Sequence, residues 1–552
     1  MRTIFTLILA LATALPPVRA ASDAAVAPVA ESDDIFPAQP GEPVLFPQLR
    51  GVRFIAEPAQ LTAPGFPAAG VDASLVPSLD PADAAVAMSP FMDFPASEAS
   101  LQRLTDVLRA YLRVSGRPFS SVYLPPQDVT DGYVQVVVAE SRSDGEVTVA
   151  GAKWFSAGAY QAHLRQRADV PIDAAQLNAD VAWLNRNPYR RASIAAESGR
   201  APGTTRLSLR TDERLPLSLN AGYSNTGTAL TDEDRVSAGV TWGNAFGRGD
   251  LLNLGASGDP AWQHVRSYHA GYTAFLPWRH VLNLQGAWST MDSVMPEPFT
   301  QSGTSWQVGA RYEIPLAAPR QGWTQTLSLM ADFKYSDNTL EFAEIPVTDN
   351  ITHVAQIGAS YGLTFPALGG QNSARLELAA SPGGLTDYND DTAFAGSRLG
   401  AKAAYAFTRL GLRHQRPLAA EWTLVLSADA QLSTGALLGS EQLNGGGSYA
   451  VRGYRESSAF GDWGVVGSAE LHAPALAVPK GRADLFAFFD GASLRLHEAD
   501  TGTDLASAGL GVNCQLGRCL SLRGAYGWQL QAIDSSRGVY SGRGHVSANL
   551  AW

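Results

Sequence analysis

The residues able to do chemistry are sparse in this chain, and the most distinctive group lies in one glycine-rich stretch, Gly445-Gly-Gly-Ser-Tyr-Ala-Val451-Arg452-Gly453-Tyr454-Arg-Glu. Such a loop cradles phosphate only when a helix carrying Lys-Ser/Thr follows, and none does. What remains is a single guanidinium, Arg452, flanked by Val451, Gly453 and Tyr454. Cys514 and Cys519 enclose the turn-like tetrapeptide Gln-Leu-Gly-Arg. In an oxidising compartment the expectation is one disulfide clipping a hairpin. Two thiols alone make a poor metal site, and no histidine cluster joins them. The nine histidines are scattered, and Ser, His and Asp form no local nucleophile signature. No catalytic residue, metal or cofactor is expected.

The elements that position these residues fall into two halves. From Leu215 to Trp552 the sequence alternates with period two. Trp306, Val308, Ala310, Tyr312 and Ile314 alternate with Gln307, Gly309, Arg311 and Glu313. Leu327, Leu329, Ala331, Phe333 and Tyr335 alternate with Ser328, Met330, Asp332 and Lys334. A soluble sandwich must pack its apolar faces together. Here charged residues recur on the second face, as they do in a water-filled lumen, with aromatic girdles near the strand ends. About 16 such segments, separated by turn signals, predict a transmembrane antiparallel β-barrel. The run ends on Val546, Ala548, Leu550 and Trp552. The glycine-rich stretch falls between strands eleven (422–433) and twelve (465–472), in a long connection, 434–462. On strand thirteen, period two turns Phe488 and Asp490 inward and Phe489 outward. The Cys514–Cys519 turn joins strands fourteen and fifteen.

Before the barrel, the order β-helix-helix-β-β occurs twice in outline, in modules expected over 49–141 and 142–214. In the first, Gly51–Ile55 reads as a strand and Ala96–Arg113 as an amphipathic helix capped by Ser97. Val122–Leu124 and Tyr133–Ala139 read as strands around Pro125-Pro126-Gln127-Asp128, while the first helix is poorly marked. In the second, Gly145–Val149 precedes helices at Ala157–Gln166 and Asp173–Leu184. Strands follow at Ala192–Glu197 and Thr205–Thr211, with Pro202-Gly203 between them. Such modules serve as scaffolding or as docking platforms, whose strand edges can pair with an extended client.

The N-terminus carries Arg2, a short apolar run Ile4–Leu15, and Val18 and Ala20 where small residues precede a cut. A secretory signal peptide is expected over 1–20. Residues 21–48, rich in Ala, Pro and acidic side chains, read as a flexible extension. After Ala20 no run is long and apolar enough for a transmembrane helix. The mean hydropathy of −0.06 suits a barrel as well as it suits a soluble protein. The net charge of −11 gives no basic stripe for nucleic acid.

Together these motifs resemble the two-partner secretion transporters, the outer-membrane partners that secrete haemolysin- and filamentous-haemagglutinin-like exoproteins, over nearly the whole mature chain. Tyr123-Leu-Pro125-Pro126-Gln127-Asp128 is similar to the signature ending that family's first polypeptide-transport-associated (POTRA) domain. Trp183-Leu-Asn185-Arg-Asn187-Pro188-Tyr189-Arg190 is similar to that of the second. Asn225-Thr-Gly and Trp242-Gly-Asn resemble its first barrel strands, and Val451–Tyr454 its sixth loop. The resemblance implies that this loop folds into the barrel and that Arg452 pairs with Asp490. The family's usual glycine two places after the aspartate is Ala492 here. It also implies an aromatic C-terminal insertion signal. Some members plug the pore with an N-terminal helix. Residues 21–48 are too proline-rich to show one beyond a short stretch around Ala24–Ala30.

The function so implied is an outer-membrane translocator that recognises an unfolded exoprotein through periplasmic POTRA domains and exports it without nucleotide. Its partners would be a large exoprotein (adhesin, cytolysin or toxin), outer-membrane lipid and the barrel-assembly machinery. The alternatives are an assembly insertase of the same superfamily, which shares the loop motif, or a porin-type channel, which needs no periplasmic modules.

Overall fold

The computed structural model describes residues 41–62, 69–117, 119–201, 204–498, 502–533 and 541–552. The expected leader, residues 21–40 of the extension with the stretch around Ala24–Ala30, and the Pro202-Gly203 turn lie outside these ranges. Two compact units meet in sequence between Arg214 and Leu215.

In the first module, β1 (Gly51–Ile55) runs parallel to both β2 (Gly70–Asp72) and β4 (Tyr133–Ala139), and β3 (Ser121–Tyr123) closes the sheet antiparallel to β4. Two helices cover it, α1 (Pro81–Met88) and α2 (Glu98–Val114). α2 starts where Ser97 and Ser100 form a reciprocal capping box. It buries Leu101, Leu104, Leu108 and Leu112, a helical stripe that meets Phe54, Val134, Val136 and Val138 of the sheet. α1 is the helix the sequence marks poorly. Its signal is short: Asp80 caps it, accepting from Ala82 N and Asp83 N, and Pro81 opens it. The extension is not loose to its end. Val44–Phe46 pairs with Ala96–Ser97, Phe46 enters the core and Glu42 meets Arg103 at 3.0 Å.

The second module has the sheet order β5-β7-β6, from Arg142–Ala150, Thr204–Glu213 and Arg190–Ser198 respectively. Its helices are α3 (Ala157–Gln161) and α4 (Ala174–Leu184). α3 is five residues shorter at its end than the pattern suggests, because the buried carboxylate of Asp180 takes the Arg165 N–H at 2.8 Å and turns the chain away. Asp173 caps α4 by accepting from Gln176 N.

The second unit is a closed antiparallel barrel of 16 strands. They are β8 (Leu217–Ser224), β9 (Arg235–Ala245), β10 (Asp250–Gly258), β11 (Val265–Phe275), β12 (Val281–Ser293), β13 (Phe299–Leu316), β14 (Thr324–Phe342) and β15 (Ile345–Ala367), then β16 (Gly370–Pro382), β17 (Ala404–Pro417), β18 (Thr423–Ser433), β19 (Trp463–His472, continued by Leu476–Val478), β20 (Gly481–Arg495), β21 (Gly502–Leu516), β22 (Leu520–Gln529) and β23 (Gly542–Ala551). β23 pairs with β8 to close the wall, and Trp552 exchanges both backbone hydrogen bonds with Leu219. Val308, Leu329 and Ile357 stand exposed on the outer face, as lipid contact requires. Trp306, Tyr335, His353 and Tyr388 form a run of neighbouring rings, with centroids 5.2–5.7 Å apart, toward the end where β8 finishes, here termed the outer end. Trp323 stacks on Phe365 toward the inner end.

β13, β14 and β15 have 18, 19 and 23 residues, whereas about 9–11 suffice to span a bilayer. Their far ends pair with one another beyond β16, whose pairing with β15 starts only at Ile357–Ala380. The ribbon turns at Ala343 and Glu344, both with positive φ.

The expected disulfide does not form. Cys514 and Cys519 are free thiols. Hairpin register is the reason: the last pair is Leu516–Leu520, which sets Cys514 opposite Leu522 and leaves Cys519 in the turn.

Candidate functional site: a loop locked inside the barrel

Two adjacent wall strands supply the receiving surface. In the β19–β20 register Ser468 lies opposite Asp490, and Glu470 opposite Phe488. Alternation turns all four toward the lumen. Asp490 is fully buried, although it stands on the wall of a channel.

What buries it is the connection 434–462, which folds inward. Arg452 Nε and Nη2 each donate to one oxygen of Asp490, both at 2.7 Å, in a bidentate fork. The Arg452 backbone N–H adds a third bond to Asp490 Oδ2 at 3.1 Å. Nη1 donates to Glu470 at 2.5 Å and Nη2 to Ser468 Oγ at 3.1 Å. Ser468 Oγ in turn donates to Asp490 at 2.6 Å. The guanidinium carbon sits 3.7 Å from the Phe488 ring centroid, a cation–π contact. A planar fork that stacks and pairs at once is arginine chemistry, which lysine cannot reproduce. The second carboxylate, Glu470, also meets Arg523 at 3.6 Å and His472 at 3.0 Å, and His472 continues to Asp484 at 2.8 Å. Removing one member of so buried a pair leaves an uncompensated charge, a cost of about 3–5 kcal/mol.

The residues beside Arg452 hold it in place. Val451 is fully buried in a cluster with Val466, Ala492, Leu494 and Leu505. Gly453 has φ +91°, and a Cβ there would stand 2.7 Å from Gly527 O on the wall. Only glycine fits this left-handed, close approach. Gly453 N donates to His545 Nε2 at 3.1 Å, and Gln529 Nε2 donates to Gly453 O at 2.6 Å. The buried Tyr454 hydroxyl lies 2.9 Å from Ala506 O and 2.5 Å from Gln531 O. The motif is thus a loop tip tied to β19, β20, β21, β22 and β23. Phe488 and Asp490 meet it where parity places them. Ser468 and Glu470 were not singled out from sequence, although the same alternation on β19, Ser468-x-Glu470-x-His472, could have found them.

The N-terminal signatures do different work. Gln127 spans the backbone of Gln135, donating to its O at 2.6 Å and accepting from its N at 2.8 Å. Asn185 does the same to Ala192, at 2.9 and 2.6 Å. Pro125 is buried, Pro126 and Pro188 are exposed, and Asn187 accepts from Tyr189 N. Asp128 accepts from the N–H and hydroxyl of Thr130, which hold its carboxyl below the usual range. Arg190 lies between the rings of Phe155 and Tyr160, 5.0 and 5.3 Å away, and donates to Leu184 O. Gln127, Asn185, Asn187 and Arg190 thus brace the backbone of their own modules, while Pro126, Asp128 and Pro188 stand at the surface.

The comparisons agree with this architecture. The family model described as haemolysin secretion/activation protein ShlB/FhaC/HecB matches residues 203–514, and that of the ShlB-type POTRA domain matches 66–141. The outer membrane transporter CdiB of Dickeya dadantii (strain 3937) is 24% identical over 449 residues, covering 78% of this chain and 76% of that one. The solved CdiB from Escherichia coli superposes with a TM-score of 0.75 at 17% identity, over 98% of this chain and 93% of that one. CdiB from Acinetobacter baumannii gives 0.65 at 15%, over 100% and 97%. The chain belongs to the ShlB/FhaC/HecB family of haemolysin secretion/activation proteins: it is an outer-membrane translocator of two-partner secretion, with a large secreted exoprotein as partner and its POTRA region in the periplasm.

Proposed function

We propose that the protein captures one unfolded exoprotein on its POTRA modules and passes it through the barrel without nucleotide. The Arg452–Asp490 lock would hold the lumen loop in its resting position. The observation that carries this reading is that buried fork, a charged tether of a loop within a channel. Capture would use strand edges: β2 and β3 flank one module sheet, β5 and β6 the other. Folding of the client outside would bias movement outward. The belt on the barrel exterior would contact outer-membrane lipid, and the barrel-assembly machinery would insert the chain. No nucleic acid and no catalytic step enters this scheme.

Arg452→Ala tests it. The variant should insert in the membrane and keep the heat-modifiable mobility of a folded barrel, while exoprotein in the medium falls by about tenfold, as expected when a tether worth several kcal/mol is lost. Unchanged export removes the lock from the mechanism. In a deletion strain, continued export together with collapse of outer-membrane barrel assembly would favour the insertase reading instead.

A further inference from the structure

A second carboxylate–guanidinium fork lies outside the Arg452 site. Asp462, at the foot of the inward loop's return limb, is fully buried. It accepts from Arg398 Nη1 and Nη2 at 2.5 and 2.8 Å, from Leu437 N at 2.9 Å, from His497 N at 2.9 Å and from Gln442 Nε2 at 3.2 Å. One side chain therefore gathers three outer connections: 383–403, both limbs of 434–462, and 496–498. Arg398 also donates to Leu437 O.

Arg398 follows α5 (Asp391–Ser397), a short helix that does not stand outside the barrel. Its Phe394 is buried with Met330, Val354, Ala379, Tyr405 and Phe407, residues whose parity faces the lumen, and with Leu437 and Leu438 of the loop. Ser397 meets Asn350 on the β15 wall. The helix thus occupies the outer lumen, in the path of anything leaving. The loop's ascending limb is held nearby, where Glu441 meets Lys334 and its carbonyl accepts from Arg409 and Gln431.

Resting on the export reading above, we propose that Arg398 and Asp462 are positioning residues that form an exit latch: they hold α5 against the root of the inward loop, and this latch must open before a polypeptide can leave. Its polarity is the reverse of the inner lock. There the loop supplies the cation and the wall the anion. Here the loop supplies the anion and the neighbouring connection the cation. Releasing Arg452 alone leaves Arg398–Asp462 intact, so the two ties act at different depths.

Two measurements on the full chain test this. In planar bilayers, which require no client, Arg398→Ala should raise the frequency of channel opening about tenfold, because one of two states loses its charged tie. Folded Arg398→Ala with wild-type gating overturns the latch and leaves the secretion reading standing. In cells, Asn350→Cys with Ser397→Cys should pin α5 to the wall under oxidation, stop export and restore it on reduction. Wild-type export by the oxidised, cross-linked species overturns the proposal. Should the double variant fail to insert, the bilayer arm decides alone.

Discussion

At the scale of single residues, the barrel lock and the Glu213 cluster of the second N-terminal module solve one problem alike. Buried charge must be matched, and both use several donors per carboxylate rather than a lone ion pair. In the second module, burial pushes the Glu213 carboxyl up, but hydrogen bonds from the Tyr160 hydroxyl and the N–H groups of Lys153, Trp154 and Phe155 outweigh it and hold it below its ordinary value. The folded state therefore binds a proton less readily than the unfolded chain. The stability this cluster contributes is complete above the ordinary glutamate value and is lost as pH falls through the lowered one. Glu213→Gln should cost about 1–3 kcal/mol near neutrality and make proteolytic resistance of the periplasmic unit less sensitive to acid. Equal acid sensitivity in both proteins assigns the effect elsewhere.

At the scale of elements, Gly453 and Gly527 decide how deep the loop tip can sit. Gly453→Ala adds a Cβ against the wall carbonyl and strains a positive φ, costing about 1–3 kcal/mol. The barrel should still fold, but trypsin should reach the chain after Arg452 or Arg455 faster than in the wild type. Strand alternation was the legible part of this protein. It turned Phe488 and Asp490 inward, and β4 runs over Tyr133–Ala139 as the pattern reads. Arg398 and Asp462 were not legible, because both lie in irregular connections where no period points a side chain. The cysteines were misread for a related reason. A four-residue spacer announces a turn but leaves its register open, and register sets Cys514 opposite Leu522. Reductant should accordingly leave the heat-modifiable transition of the barrel unchanged, while a maleimide labels the unreduced protein. A shift on reduction would reinstate the bond.

At the scale of the whole molecule, the barrel separates two tasks. Its continuous hydrogen-bonded wall satisfies every lipid-facing strand without an edge, so the lumen side is released from any duty to the membrane. That freedom is spent on buried charge: Arg452, Glu470, Asp490, Arg398 and Asp462 all belong to the interior. The two N-terminal modules instead depend on ordinary apolar cores, Leu104, Leu108 and Val136 in one and Leu177 and Leu207 in the other. The ribbon made by the overlong β13, β14 and β15 belongs to neither task. At its base Asn350 and His353 meet Ser397 and Tyr388 of the connection 383–403, but from Thr339 and Asp349 to the turn at Ala343 and Glu344 the strands pair only within the ribbon, so substitutions at the tip leave both forks untouched. A short epitope inserted at the Ala343–Glu344 turn should therefore be bound by antibody on intact cells while export continues, and loss of export would tie the ribbon to the machinery after all.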